Sequence, residues 1–140
     1  EVARLNPRIV YCGCYGFGEG GRYAGKPALD DLIQGSVALP SLVGRVTGEP
    51  RYLPTNLCDR TTGLTAVYSV IAALYAREKT GRGQTIEVPM FETMTQFVLS
   101  DHMFGKTFDP PLADAGYVRL LAKDRRPLRT RDGHICVLIY

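Results

Sequence analysis

The sequence has 140 residues, of which 45% are hydrophobic and 22% are charged, and a formal net charge of +3. This is the size and composition of one globular domain, and so small a charge argues against a nucleic-acid partner. The only candidate for a membrane span, residues 61–76, is shorter than the roughly 20 residues that cross a bilayer, so we expect a cytoplasmic protein without a membrane partner. The chain starts without Met and stops in an apolar run, and we therefore expect an internal fragment of a longer protein.

Four cysteines occur in apolar segments without any C-x-x-C pair: Cys12, Cys14, Cys58 and Cys136. Zinc sites and disulfide scaffolds have recognisable cysteine spacings, which are absent here. We therefore expect buried, reduced thiols and no metal site.

The first part of the chain predicts a strand and a helix joined by a glycine-rich loop. Residues 8–14 are apolar and rich in β-forming side chains, which predicts a buried strand, and residues 15–27 follow as the loop. From Ala28 the apolar spacing is helical until Pro40 ends or kinks the helix. Residues 44–56 are predicted to be a loop with a short extended piece.

The clearest element is a helix over residues 59–79, with apolar side chains at helical spacing and further small apolar residues on the opposite face. A helix that is apolar all round is expected to lie at the centre of a fold. Gly81 is suited to a left-handed helix end, and residues 84–88 then alternate as a strand. A second helix is predicted over residues 89–104, with its proline in the first turn.

The last part of the chain predicts a connector and a hairpin. Residues 108–123 contain two prolines and little periodicity, and Asp132-Gly133 lies between two apolar runs, which is a hairpin signal. Strands that alternate with helices predict an α/β fold with a largely parallel sheet.

The loop contains a glycine pattern, residues 16–21, that matches the dinucleotide-binding fingerprint G-x-G-x-x-G. That fingerprint requires a helix to begin at its third glycine, and residues 22–27 (RYAGKP) cannot form a first helical turn. The acid expected about 20 residues further on is also missing, because Asp30 and Asp31 come too early. We predict no nicotinamide or flavin cofactor, and a loop whose backbone approaches some other ligand or a partner.

Asp59 lies at the start of the long helix, where two interpretations stay open. An aspartate in this position often caps the helix, because its oxygen accepts backbone N–H bonds and its charge suits the positive end of the helix dipole. The same carboxylate could instead attack an acyl group, with amides of the first helical turn and of the glycine loop stabilising the oxyanion.

Four segments of the sequence resemble, in order and spacing, the middle of the family III CoA-transferases, the CaiB/BaiF group that includes formyl-CoA:oxalate and L-carnitine CoA-transferases. They are GFGEGGRYAGKPALDDLIQG, LCDRTTGL, IAALYAREKTGRGQTIEVPMFETM and RTRDGHI. The resemblance covers nearly the whole chain. It implies a Rossmann-like large domain, represented in part by residues 1–123, followed at residues 124–140 by a linker and the first hairpin of a small α+β domain.

The resemblance also implies an activity and an assembly. The enzyme would move CoA from an acyl-CoA donor to a carboxylic acid acceptor through an aspartyl-CoA thioester on Asp59, with Asp30 as a second catalytic acid. The backbone of Gly16, Phe17 and Gly18 would lie near the CoA thioester, which is a substrate and not a resident cofactor. Two subunits would form an interlocked homodimer, and the fragment alone would be inactive.

Two alternatives stay open beside this one. The related α-methylacyl-CoA racemases resemble the transferases in fold but use a histidine immediately before the acid that matches Asp30, and this chain has Leu29 there. Because moving an α-proton requires two opposed acid/base groups, leucine at this position argues against racemisation. The second alternative is a catalytically incomplete fragment in which Asp59 is only a helix cap.

Overall fold

The computed structural model describes residues 1–137, which form a mixed α/β structure as the sequence predicts. The helices are α1 (Val2–Leu5), α2 (Asp30–Ser36), α3 (Leu39–Thr47), α4 (Leu57–Thr80) and α5 (Met90–His102), followed by a 3₁₀ turn at Phe104–Thr107. The strands are β1 (Val10–Tyr15), β2 (Gln84–Pro89), β3 (Leu128–Arg129) and β4 (His134–Ile135).

The longer sheet is parallel, in agreement with the prediction. β1 pairs with β2 from Val10 opposite Gln84 to Tyr15 opposite Pro89, so the crossover between the two strands contains α2, α3 and α4. The predicted hairpin is also present, because β3 and β4 pair antiparallel on either side of Asp132-Gly133. Both strands of the parallel sheet therefore end beside the glycine loop and the start of α5.

The core lies where α2, α5 and the first turn of α4 meet the glycine loop. Its buried members form one cluster: Phe17, Ile33, Val37, Cys58, Met94 and Val98. Ile33 and Met94 are completely inaccessible to solvent. This cluster places the first turns of α2 and α4 side by side, which is the arrangement that builds the candidate site.

The long helix α4 has nearly the predicted bounds. It begins two residues before Asp59, and it ends at Gly81, whose φ of +73° is the predicted left-handed conformation. The N–H of Gly81 donates to the carbonyl oxygen of Arg77 at 2.8 Å. A residue without Cβ is favoured at this end because the conformation costs it nothing.

The predicted central position of α4 is wrong for the described part of the chain. Five of its large side chains are between 56 and 68% exposed: Leu64, Val67, Tyr68, Ile71 and Tyr75. The helix packs on β1, β2 and α5 along one side, where Ala73 is buried, and nothing in residues 1–137 covers the opposite side. Periodicity identifies the apolar faces of a helix, but it does not say whether the covering element is in the same piece of chain.

The segment after Pro40 also differs from the prediction. The chain turns at Ala38, which has a φ of +64°, and a new helix, α3, begins at Leu39 with Pro40 in its first turn. Proline is tolerated there because the first turn of a helix has no intrahelical partner for its N–H groups. The sequence prediction treated Pro40 only as a helix breaker and so missed α3, and the extended piece expected before Asn56 is not a strand.

The cysteines are all free thiols, but their burial is mixed. Cys58 is buried and Cys12 is half-buried, whereas Cys14 and Cys136 are exposed. The expectation of four buried thiols is therefore wrong for two of them, because short strands at the edge of this chain leave one face open. Across the described residues, no helix combines the length and the apolarity that spanning a membrane requires.

Candidate active site

The first turns of α2 and α4 bring the two predicted acids together. Asp30 is the first residue of α2, and Asp59 is the third residue of α4. The Oδ2 atom of Asp30 accepts the backbone N–H of Asp59 at 2.9 Å, although the two residues are 29 positions apart in the chain. Asp30 therefore does not act as the cap of its own helix: it caps α4.

The environment of Asp30 is that of a buried, fully engaged carboxylate. Its residue is only 7% exposed, and its Oδ1 atom accepts a hydrogen bond from Nε2 of Gln34 at 2.7 Å. A buried carboxylate is costly unless donors surround it, and here each oxygen has one. The carboxylate is consequently fixed in place by an amide side chain on one side and by the backbone of α4 on the other.

Asp59 has the opposite environment. The residue is exposed, and within residues 1–137 its carboxylate accepts no hydrogen bond. The cap residue of α4 is Asn56, whose side chain makes no capping bond either. Within residues 1–137 the side chain of Asp59 therefore makes no capping hydrogen bond, and the amide at this position is bound by Asp30 instead.

The thiol next to Asp59 is held neutral. Cys58 is completely buried, and burial, followed by the charges of Asp30, Asp59 and Asp31, raises its pKa to about 12 from an ordinary value of 9.0. A thiolate is the nucleophilic form of cysteine, and this one is suppressed at neutral pH. The carboxylate of Asp59 therefore has no thiolate competitor in the same helical turn.

The glycine loop is fastened to the end of β2 and the start of α5. The N–H of Gly18 donates to both carboxylate oxygens of Glu92, at 3.1 and 3.2 Å, and the N–H of Glu19 donates to Oε1 of Glu87 at 2.6 Å. Nearby, the carbonyl oxygen of Gly16 accepts the N–H of Phe91 at 3.0 Å. These bonds explain the loop's shape without a bound ligand.

Close packing explains why two loop positions are glycines. A Cβ on Gly18 would lie 2.7 Å from Oε1 of Glu92, and a Cβ on Gly16 would clash with the Cβ of Ala28. Phe17, between them, is buried, and its ring centroid lies 5.6 Å from that of Phe91. Phe17 shares the core cluster with Cys58, so the loop is adjacent to the candidate site through that side chain.

Two of the amides expected to stabilise an oxyanion are already engaged. The N–H of Asp59 donates to Asp30, and the N–H of Gly18 donates to Glu92. The expected oxyanion role therefore does not hold for these two amides. The predicted contact of Gly16, Phe17 and Gly18 with a CoA thioester remains a prediction.

Sequence reasoning gave no role to three polar residues that shape the site: Gln34, Glu87 and Glu92. Gln34 is four residues after Asp30, and this spacing places both side chains on the same face of a helix, so a signal was present. Glu87 and Glu92 gave no signal, because their partners are backbone N–H groups of a distant loop.

Two cavities of the described chain lie away from Asp59. One, of about 410 Å³, lies between α2, α3 and residues 50–52, and the other, of about 680 Å³, is lined by residues 117–128 and 136–137. Neither includes Asp30 or Asp59. Within residues 1–137 the site is the exposed carboxylate of Asp59, on a helical turn whose backbone is bound by the buried Asp30.

Comparison with known proteins identifies the family. The profile described as CoA-transferase family III matches residues 1–140. The chain belongs to CoA-transferase family III. It is similar to the acetyl-CoA:oxalate CoA-transferase of Acetobacter aceti, with 37% identity over 99 residues that cover 70% of this chain and 25% of that protein.

Other family III relatives agree. The formyl-CoA:oxalate CoA-transferase of Streptomyces coelicolor is 40% identical over 90 residues, which cover 64% of this chain and 22% of that protein. Among solved structures, a CaiB/BaiF family protein from Brucella suis matches with a TM-score of 0.77 and 28% identity, over 95% of this chain and 35% of that one. The chain thus spans about a quarter of the length of the curated relatives, and the family fold predicted from the sequence is confirmed.

Proposed function

We propose that this chain carries the nucleophile of an enzyme that moves CoA from an acyl-CoA donor to a carboxylic acid acceptor, through an aspartyl-CoA thioester on Asp59. The observation that carries the proposal is that two neighbouring acids differ in burial and in hydrogen bonding. Asp30 is buried and binds the backbone of α4, whereas the carboxylate of Asp59 is exposed and unbonded within residues 1–137. Membership of family III supports CoA transfer as the reaction class.

The first half-reaction loads CoA onto the protein. A carboxylate oxygen of Asp59 attacks the acyl carbonyl carbon, the C–S bond breaks, and CoA leaves as a thiolate while a mixed anhydride between Asp59 and the donor acid remains. The thiolate then attacks the Asp59 carbonyl carbon, which forms the aspartyl-CoA thioester and releases the donor acid as a carboxylate. No proton has to be removed from the nucleophile, so the protein's main contribution is orientation.

The second half-reaction reverses these steps with a different acid. The acceptor carboxylate attacks the aspartyl thioester, CoA leaves as a thiolate, and the thiolate attacks the acyl carbon of the new mixed anhydride. The products are the acceptor acyl-CoA and the free carboxylate of Asp59, so the cycle closes without an oxidant, a reductant or a metal. In this scheme Asp30 is a positioning residue, because its two carboxylate oxygens are bound by the side chain of Gln34 and by the backbone of Asp59.

The alternatives receive less support. For racemisation, the position before Asp30 is Leu29, which is 79% exposed and offers no acid or base. For an inert cap, the side chain of Asp59 would have to accept amide N–H bonds of α4, and it accepts none within residues 1–137. We infer that the complete protein is a cytoplasmic homodimer, interlocked as the family resemblance implies, and that the fragment alone is inactive.

The decisive experiment traps the intermediate in the complete protein. After mixing with acyl-CoA, hydroxylamine should convert Asp59 to a hydroxamate that mass spectrometry locates on the peptide containing Cys58 to Arg60. Asp59→Ala should abolish both the modification and CoA transfer. Sustained turnover in the presence of hydroxylamine, with Asp59 unmodified, would show that the reaction does not pass through this residue.

A further inference from the structure

Gln34 connects three parts of the site through one side chain. It is completely buried in α2. Its Nε2 atom donates to Oδ1 of Asp30 at 2.7 Å and lies 3.3 Å from the carbonyl oxygens of Leu53 and Thr55. Its Oε1 atom accepts the N–H of Leu53 at 2.9 Å. The amide therefore bonds at the same time to Asp30 and to the loop that leads into α4.

Only a carboxamide suits this position at neutral pH. The surroundings require a donor toward the Asp30 carboxylate and two carbonyls, and an acceptor for the N–H of Leu53. A glutamate would offer acceptors alone, and a lysine donors alone. Gln34 satisfies both requirements, and none of its polar atoms is left buried without a partner.

The bonds of Gln34 lead directly to the candidate nucleophile. Gln34 fixes one oxygen of Asp30, and the other oxygen of Asp30 fixes the backbone amide of Asp59. The same side chain fixes Leu53 and Thr55, whose segment enters α4 at Leu57, with the Leu57 N–H donating to the Thr55 carbonyl oxygen at 2.8 Å. Gln34 thus holds the start of α4 in two ways: through the loop at residues 53–55 that leads into the helix, and through Asp30, which binds the amide of Asp59.

We propose that Gln34 is a positioning residue for CoA transfer, which sets the direction of the Asp59 carboxylate through Asp30 and through the loop at residues 53–55. This inference rests on the proposed function. An attacking carboxylate gains rate from being held in a near-attack geometry, and a displacement of about 1 Å can cost on the order of 100-fold in rate. Because Gln34 is completely buried, we expect it to act on kcat through the position of Asp59 more than on KM.

The test is Gln34→Glu in the complete protein, which keeps the size and replaces the donor by an ionisable acid. The titratable groups near this position are Asp30 and Asp31 on α2 and Cys58 and Asp59 on α4. Residues 53–56 add none, α3 carries only Arg45, and α5 presents apolar Met94 and Val98. These negative neighbours and burial both favour the protonated form of the new acid. When protonated, it has one O–H that can donate to Asp30 and an oxygen that accepts from Leu53, so it keeps these two bonds of the amide and loses those to the carbonyl oxygens of Leu53 and Thr55.

The variant should therefore acquire a pH dependence that the unmodified enzyme lacks. We expect its kcat to fall about 10- to 100-fold relative to the unmodified enzyme as pH rises from about 5.5 to 9, with KM for acyl-CoA changed less than about threefold. Gln96→Glu is the matched control, because Gln96 is an exposed glutamine on α5, and its profile should follow the unmodified enzyme. A Gln34→Glu profile that follows this control would overturn the proposal.

A second variant removes the bonds without adding charge. Gln34→Met has a similar length, and we expect a kcat loss of similar size that does not vary with pH. Retention of kcat within about twofold in this variant would also refute the proposal, and so would failure of both variants to fold, since Gln34 would then be merely structural. Asp59→Ala, assayed in parallel, separates the two hypotheses. Turnover by Asp59→Ala defeats the proposed function itself. If Asp59→Ala is inactive and the kcat of Gln34→Glu equals that of the unmodified enzyme at every pH, only this inference is defeated.

Discussion

Asp30 and Asp59 are joined by one hydrogen bond, from the backbone N–H of Asp59 to the carboxylate of Asp30. Their two carboxylates have different tasks because their surroundings differ. Asp30 is surrounded by donors in a buried position, and its charge is committed to holding the amide of Asp59. The side chain of Asp59 is exposed at the first turn of α4. The positive end of the helix dipole favours its negative charge there and leaves the carboxylate oxygens unbonded within residues 1–137. Stability should therefore depend on Asp30, and chemistry on Asp59.

Alanine at each position tests this separation in the complete protein. Asp30→Ala leaves the N–H of Asp59 without its acceptor and removes the shortest bond of Gln34 Nε2, so we expect the free energy of unfolding to fall by about 1–3 kcal/mol. Asp59→Ala should lower it by less than about 1 kcal/mol while abolishing CoA transfer. Urea unfolding curves and a transfer assay measure both effects, and equal destabilisation by the two changes would contradict the assignment.

The buried thiol of Cys58 predicts a loss of stability in alkali. The unfolded thiol ionises near its ordinary pKa of 9.0, whereas burial holds the folded thiol neutral until a pKa of about 12. The stabilising contribution is complete below pH 9 and is lost as pH rises toward 12, because only the unfolded state gains from releasing the proton. Unfolding free energies of the unmodified protein and of Cys58→Ala should converge across that interval, and parallel curves would show that the thiol is accessible to water.

At the scale of elements, the glycine loop is held to β2 and α5 by hydrogen bonds from its backbone. Glu87 at the end of β2 and Glu92 at the start of α5 each accept a loop N–H, and Gly18 is small enough to let the backbone reach the second of them. Contacts within the chain therefore account for two of these glycines: Gly18 lies against Glu92, and Gly16 packs on Ala28. The loop also holds Phe17 in the core that supports Cys58.

Alanine substitutions distinguish this packing role from simple loop flexibility. Gly18→Ala places a Cβ 2.7 Å from Oε1 of Glu92, an exposed and flexible side chain, so we expect Glu92 to move, its bond with the Gly18 N–H to weaken, and the free energy of unfolding to fall by about 0.5–1.5 kcal/mol. Gly20→Ala is the control, since a Cβ there meets no atom within 4 Å. Adding Glu92→Ala to Gly18→Ala should relieve part of the loss, and the lack of any difference between the two glycines would count against a fastened loop.

The sequence predicted those elements whose signal is local. The bounds of α4, its end at Gly81, the parallel strands and the hairpin at Asp132-Gly133 all follow from periodicity and turn chemistry. The helix α3 was missed because proline at a helix start and proline at a helix end look alike in a single sequence. The bond from Asp30 to the Asp59 amide could not be predicted either, since it joins two segments whose relative position only the fold defines.

At the scale of the whole molecule, α4 presents an uncovered apolar face, formed by Leu64, Val67, Tyr68, Ile71 and Tyr75. Soluble proteins rarely expose contiguous apolar patches of this kind, and larger ones mark surfaces that bind something. The chain spans about a quarter of the length of its curated relatives. We therefore expect this face to be covered in the complete protein.

Cysteine labelling measures that cover directly. In the complete protein, Val67→Cys should react with a maleimide at least about tenfold more slowly than Glu78→Cys, which lies on the same helix at a position expected to remain in solvent. Adding denaturant should bring the two rates together. Equal rates in the folded protein would mean that the apolar face remains open.

The bond between Asp30 and α4 has a consequence for redesign. The span from α2 to the amide of Asp59 is bridged by one short acid, and Gln34 reaches the same acid from the next turn. Asp30→Glu adds one methylene between α2 and the amide of Asp59, and Gln34→Asn removes one methylene between α2 and the carboxylate of Asp30. Both hydrogen bonds are already short, so neither distance can change without moving a helix. Either exchange alone should leave a gap or a collision, so a designer who changes position 30 would have to retune position 34 in the same step.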